Sequence, residues 1–436
     1  MSSTSSSSSS SSNTSSSTSD QALDYSSWSK EELIIKIKDL EQKAQGSNGK
    51  SDMDIPHTRP NLKKRKEFDW SKQNFRFVAI KFAYLGWNYN GLAYQAEPTQ
   101  LPTVEETILK TLSKVKYIPE PIEEVDFARC GRTDKGVSAM NQVISIKLRS
   151  NLTAEEQLDA ANDSREVDYL AVINHNLPPD IVAHAICLRP PENFDARFSC
   201  KNRHYRYLFK KTLNLDIGLM SQAAQYYLGA HDFRNFCKLD GSKQITNFER
   251  FISRSEIIPL GDDWYCFNLI GTAFLWHQVR CMVAMLFLVG QKLEDPSIIK
   301  DLLNMTKYPT KPQYEMANEI PLVLYDCQFP EMEWKRLDCA NHFNKFLSKF
   351  RGMHYNLAVK AQMSSIMESV LFGPTTTIDQ ATTAKTIPLG DGIGRSFANY
   401  IPLADRQRSE NYEILNARWM QRKGHKRQQQ REIKSD

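Results

Sequence analysis

No run of about 18 apolar residues occurs in this 436-residue chain, which excludes a membrane-spanning helix. None of the eight cysteines forms a C-x-x-C pair, and the nine histidines contain no H-E-x-x-H. The spacings of a structural zinc site and of a disulfide framework are therefore missing, and the expectation is buried, reduced thiols and no metal. Glycine-rich phosphate loops and dinucleotide fingerprints are missing too, so nothing points to a nucleotide cofactor. The N-terminus lacks a charged stretch followed by an apolar one, so no secretory signal is expected. Charge of one sign is also scarce. The chain carries 56 Lys and Arg against 51 Asp and Glu, a net +5. Of this, +4 falls in residues 405–436, with nine basic and five acidic side chains. Contact with a polyanion in the middle of the chain must come from local clustering.

What is present falls into segments. Residues 1–24 are a Ser/Thr run too poor in apolar side chains to offset ordering entropy, and read as a disordered tail. Ser29-Lys30-Glu31-Glu32 has the form of a capping box, followed by Leu33, Ile34, Ile37 and Leu40 at helical spacing. That gives a short amphipathic helix within 25–47. A linker at 48–72 contains Lys63-Lys64-Arg65-Lys66, which fits an import signal, an RNA arm or a solvated charge run. From there strands and helices alternate. Residues 75–83, 144–148, 204–209, 264–270 and 321–329 read as strands. A second capping box, Thr103-Val104-Glu105-Glu106, opens a helix with Val104, Ile108, Leu112 and Val115 on one face. Residues 277–290 read as a helix with Val279, Met282, Val283 and Leu286 inward. The pattern predicts two α/β lobes, at 73–190 and 191–330, and a helical extension with a basic tail at 331–436.

Three segments carry candidate chemistry. In Phe127-Ala128-Arg129-Cys130-Gly131-Arg132-Thr133-Asp134-Lys135-Gly136-Val137-Ser138 an acid, basic neighbours and a hydroxyl are crowded between two glycines on a loop. Alone, this reads equally as a turn with a surface ion pair. In the stretch from Ala196 to Tyr207, cations and rings interleave at period two, with Tyr205 and Tyr207 on one strand face and His204 and Arg206 on the other. The pattern suits stacked bases and phosphates, and equally a half-buried strand. In Phe274-Leu275-Trp276-His277-Gln278-Val279-Arg280, an arginine enters the first turn of an otherwise apolar helix. It calls for an anionic partner unless it snorkels to the surface. His277 alone reads as structural.

Taken together, G-R-T-D-x-G-V at 131–137, R-x-Y-x-Y at 203–207 and F-x-x-H-x-x-R at 274–280 resemble the TruA family of tRNA pseudouridine synthases. Three more stretches match in the same order: residues 176–181 (N-L-P-P-D-I), 194–199 (F-D-A-R-F-S) and 229–233 (G-A-H-D-F). The resemblance covers about 75–330. Tyr94-Gln95, Pro102-Thr103-Val104-Glu105-Glu106, Cys130 before Gly131, Asn235-Phe236-Cys237-Lys238 and the long C-terminal extension are similar to the eukaryotic members that act at nucleotides 38 and 39 of the anticodon stem-loop. One departure is visible: Pro321-Leu322 stands where the family often has Gly-Leu before its last strand.

The resemblance implies a two-lobed α/β (α+β) fold with a mixed, largely antiparallel sheet flanked by helices and a cleft between the lobes. It implies isomerisation of uridine to pseudouridine without a cofactor, on a tRNA partner, by a homodimer, and not at a membrane. Asp134 would be the nucleophile. Arg280 would pair with it and keep it ionised. Tyr205 would lie against the uracil and help remove the C5 proton, Leu322 would cover the other face, and Arg132 would contact the RNA. The two basic clusters and the reduced cysteines fit nucleus and cytoplasm. The alternatives are the same chemistry at other RNA uridines, or an RNA-binding protein without catalysis.

Overall fold

The computed structural model describes residues 68–95, 97–337, 339–373 and 385–424, together with Lys36, and leaves the side chains of 339–347 undescribed. The expected helix within 25–47, the basic run at 63–66 and the end of the tail lie outside the described residues. Residues 1–68 and 69–436 are separate units, and the second holds everything that follows.

A strand forms where apolar and β-branched residues can cover a pleated surface. β1 (Asn74–Tyr84) does this with Val78, Ala79, Ile80, Phe82 and Tyr84 buried. It pairs antiparallel on one side with β3 (Ser138–Ser150) and on the other with β4 (Ile181–Cys187). Short β2 (Phe127–Arg129) adds to β3. The Thr103 box forms as the sequence predicts. The Thr103 hydroxyl accepts from the Glu106 amide at 3.1 Å, and the Glu106 carboxylate reaches back to the Thr103 amide. It opens α1 (Val104–Lys114), which buries Val104, Ile108 and Leu112. α2 (Tyr169–Asn176) leads into β4.

The second half is built on β5 (Asn202–Lys210), whose Tyr205, Tyr207 and Phe209 are buried while alternate residues are not. It pairs antiparallel with β8 (Trp264–Gly271). Next come β7 (Glu249–Gly261) and, at the edge, β6 (Gly229–Asp232). α3 (Ile217–Gln225) and the apolar α4 (Gln278–Gly290) pack together. α4 starts one residue later than the sequence suggests. His277 takes a left-handed conformation, φ 60°, and turns the chain into the helix. α5 (Ile298–Leu303) follows, and the last long strand is β9 (Leu322–Gln328).

β9 joins the halves. It is antiparallel to β5 and parallel to β3, through Ser138 opposite Val323 and Ala139 opposite Leu324. With β10 (Lys335–Arg336), the result is a ten-stranded, mostly antiparallel sheet with one parallel seam, β10-β4-β1-β3-β9-β5-β8-β7-β6 with β2 on β3, flanked by helices. β10, in a stretch expected to be helical, pairs with β4. After it come α6 (Cys339–Phe372) and a small hairpin of β11 (Thr386–Ile387) and β12 (Arg395–Ser396). α7 (Tyr412–Trp419) returns to the body, with Tyr412 against Phe248, ring centroids 4.9 Å apart. No helix among the described residues is long and apolar enough to cross a membrane.

Candidate active site at the parallel seam

The loop 130–137 enters β3 at the seam, so its conformation is set where the two halves meet. Its start is held by Gln142, which donates to the Gly131 carbonyl at 2.9 Å. Farther along, the Thr133 hydroxyl bonds the Tyr84 hydroxyl at 2.8 Å, and the Val137 amide closes a turn onto the Asp134 carbonyl at 3.1 Å. Gly136 makes that turn possible. Its φ is +80°, and a Cβ there would lie 2.7 Å from the Glu319 side chain. The loop presents Asp134 to a partly open cleft, its side chain 34% exposed, and leaves Arg132 exposed.

Asp134 is met by the turn before α4. Trp276 Nε1 donates to Asp134 Oδ1 at 3.1 Å, and His277 Nε2 lies 3.5 Å from Oδ2. Burial raises the Asp134 pKa above the usual carboxylate range, while the Trp276 hydrogen bond and the Arg280 charge act against that rise. Burial, with Arg280 and Lys238 nearby, pulls His277 down to about 4. The imidazole is therefore neutral near pH 7, and its contact with Asp134 is not an ion pair. Lys238 sits over the Trp276 ring, 4.9 Å from the centroid, and its amide donates to the Trp276 carbonyl at 3.0 Å.

The expected pairing of Arg280 with Asp134 is corrected here. Arg280 Nη2 binds Glu319 Oε2 at 2.8 Å, and its Nε donates to the Ala317 carbonyl at 2.6 Å. The anionic partner that a cation in an apolar helix requires is thus Glu319, in the turn before β9. Arg280 acts on Asp134 through space, and Glu319 opposes it by raising the Asp134 pKa.

Tyr205 and Leu322 converge on the same seam. Tyr205 lies opposite Leu324, and Leu322 opposite Tyr207. Tyr205 is buried, packs edge-on against Phe274 at 4.9 Å, and has no hydrogen-bond partner for its hydroxyl among the described residues. Burial, with the Asp134 charge as a lesser contributor, pushes its pKa up, so the phenol stays protonated. Leu322 is 5% exposed. Beside it, Tyr207 donates to the Leu389 carbonyl at 3.1 Å and ties the 385–396 hairpin to β5.

Trp276 was the residue missed from sequence. An indole beside His277 reads as core, and only the fold shows its N–H directed at the acid. The arrangement is chemically simple. It offers one carboxylate held by a neutral donor, a protonated phenol and apolar walls, with cations at the mouth.

A family model for tRNA pseudouridine synthases matches residues 223–330. The tRNA pseudouridine(38/39) synthase of Saccharomyces cerevisiae is 50% identical over 92% of this chain and 93% of its own length. The human protein of the same name is 40% identical over 84% of this chain and 76% of its own. The tRNA pseudouridine synthase A of Methanococcoides burtonii is 34% identical over 59% of this chain and 84% of its own. With its sheet, its ordered motifs and these relatives, the chain belongs to the TruA family of tRNA pseudouridine synthases.

Proposed function

We propose that this enzyme isomerises uridine to pseudouridine at nucleotides 38 and 39 of the tRNA anticodon stem-loop, with Asp134 reacting at the ribose of a uridine turned out of the stack. The yeast and human relatives are named for those nucleotides. The observation that carries the chemistry is the setting of Asp134. It is a carboxylate at the seam of the sheet, with an N–H on one oxygen and Tyr205 close by.

The reaction breaks the N1–C1′ bond, turns the uracil, joins C5 to C1′, and moves the C5 proton to solvent while N1 is protonated. It needs an ionised carboxylate at the sugar, either to attack C1′ or to remove the C2′ proton. The through-space charge of Arg280 and the Trp276 donor favour that ionised form. Tyr205, held neutral, offers a flat ring and a hydroxyl to the base rather than a phenolate. Leu322 covers the opposite face. Arg132, exposed at the loop, meets RNA and fills the space of the displaced nucleotide. Turning the nucleotide out costs a few kcal/mol, least near a loop. The family resemblance adds a homodimer with tRNA lying across both subunits, and the basic clusters and cysteine set fit work in nucleus and cytoplasm.

The test is Asp134→Asn with mapping of pseudouridine in a tRNA carrying uridines at 38 and 39, with no added cofactor. The variant is expected to bind tRNA and form no pseudouridine. Modification by the variant would remove the assignment of Asp134. Modification by the wild type at other uridines would move the target, and none at all would leave a binding protein.

A further inference from the structure

Three cysteines that belong to no spacing motif come together behind the Asp134 loop. Cys130 follows β2 and precedes Gly131, Cys200 lies two residues ahead of β5, and Cys327 is on β9 opposite Arg203. Their sulfur atoms all lie within 4.8 Å of one another, and all three residues are buried. No other such group of three His, Cys, Asp or Glu side chains occurs among the described residues.

We infer that Cys130, Cys200 and Cys327 form a binding site for one divalent thiophilic ion of the zinc and cadmium class. Sulfurs bound to Zn2+ at about 2.3 Å lie roughly 3.8–4.0 Å apart, so the trio needs to contract by no more than about 1 Å. Three thiolates and a divalent ion leave one negative charge, which a buried site must neutralise. Arg203 supplies the cation. Its guanidinium is fixed by the carbonyls of Cys130 at 2.9 Å, Arg197 at 3.1 Å and Thr272 at 2.7 Å. Three protein sulfurs leave a fourth position for solvent. The ion clamps the start of the Asp134 loop to β5 and β9, the strands that carry Tyr205 and Leu322.

The test is a titration of the full-length protein, kept reduced, with Cd2+ while following sulfur-to-cadmium charge-transfer absorption. Absorption saturating at one equivalent, displaced by Zn2+, is expected. Cys200→Ser and Cys327→Ser should each lose that equivalent, and Cys266→Ser, a buried cysteine outside the trio, should keep it. Circular dichroism separates loss of binding from loss of fold, and Cys200→Ala provides a second variant at the most exposed of the three. No saturating band in the wild type, or an unchanged equivalent in folded Cys200→Ser or Cys200→Ala, overturns the site.

Discussion

Replacing Trp276 with Phe keeps a ring between Lys238 and the cleft but removes the N–H that Trp276 donates to Asp134 Oδ1. A hydrogen bond to a charged group is worth about 1.5–3 kcal/mol. The Asp134 side chain is 34% exposed, so water takes over part of the bond and the lower end applies. About 1.5 kcal/mol is roughly a tenfold change in the ionisation equilibrium. The sign follows from the cause. Burial already raises the Asp134 pKa, Trp276 lowers it, and losing Trp276 raises it further. In the proposed reaction the carboxylate is the active form, so the acid limb of kcat/KM for pseudouridine formation should move to higher pH. Above that limb the two enzymes should converge. Single-turnover rates on one tRNA, measured from acidic to neutral pH, give the profile. An equal loss at every pH, with the limb unmoved, would refute the electrostatic role and leave Trp276 as packing or as an RNA contact.

Two predictions address the scaffold. Asp163 is buried against Arg189, Lys335 and Arg76. Desolvation alone would raise its pKa, but the hydrogen bonds from Arg189 and Lys335 outweigh it and bring the value from 3.8 down to about 2. A carboxylate depressed in the folded state stabilises above its unfolded pKa, and that contribution fades as pH falls through about 2, so Asp163→Asn should cost about 2 kcal/mol at neutral pH and progressively less in acid. Urea unfolding across that range measures it, and a difference independent of pH would contradict the linkage. Gly390 has φ +75°, and a Cβ there would fall 2.1 Å from the Tyr207 hydroxyl. Gly390→Ala should therefore break the Tyr207 bond to Leu389 and cost about 2–4 kcal/mol. An unchanged Tm would mean that the 385–396 hairpin does not depend on that contact.

Local order was the legible part of the sequence. The Thr103 box, the apolar face of α1 and the alternation of Tyr205, Tyr207 and Phe209 all follow from short-range rules, and all appear in the structure. The acid loop, the tyrosine strand and the arginine helix were recognisable as ordered motifs. What they touch was not. Arg280 needed an anion, but Glu319 lies in a turn whose approach to the helix depends on β9 running parallel to β3. Trp276 was hidden because its aim depends on the left-handed turn at His277. The cysteine trio gave no signal because its members are 70 and 127 positions apart, counted from Cys130 to Cys200 and from Cys200 to Cys327. Spacing rules detect ligands brought together by one short loop, not by three elements of a sheet.

The pairing of β3 with β9 has a temporal side. Ser138 and Val323 are separated by 185 positions, 323 minus 138, and a contact so distant in sequence closes late because the loop entropy must be met first. Asp134 leaves the ribosome nearly two hundred residues before Leu322. A nascent protein therefore carries its acid long before it has a pocket to put it in, and catalytic competence is postponed until the final central strand has been threaded between β3 and β5.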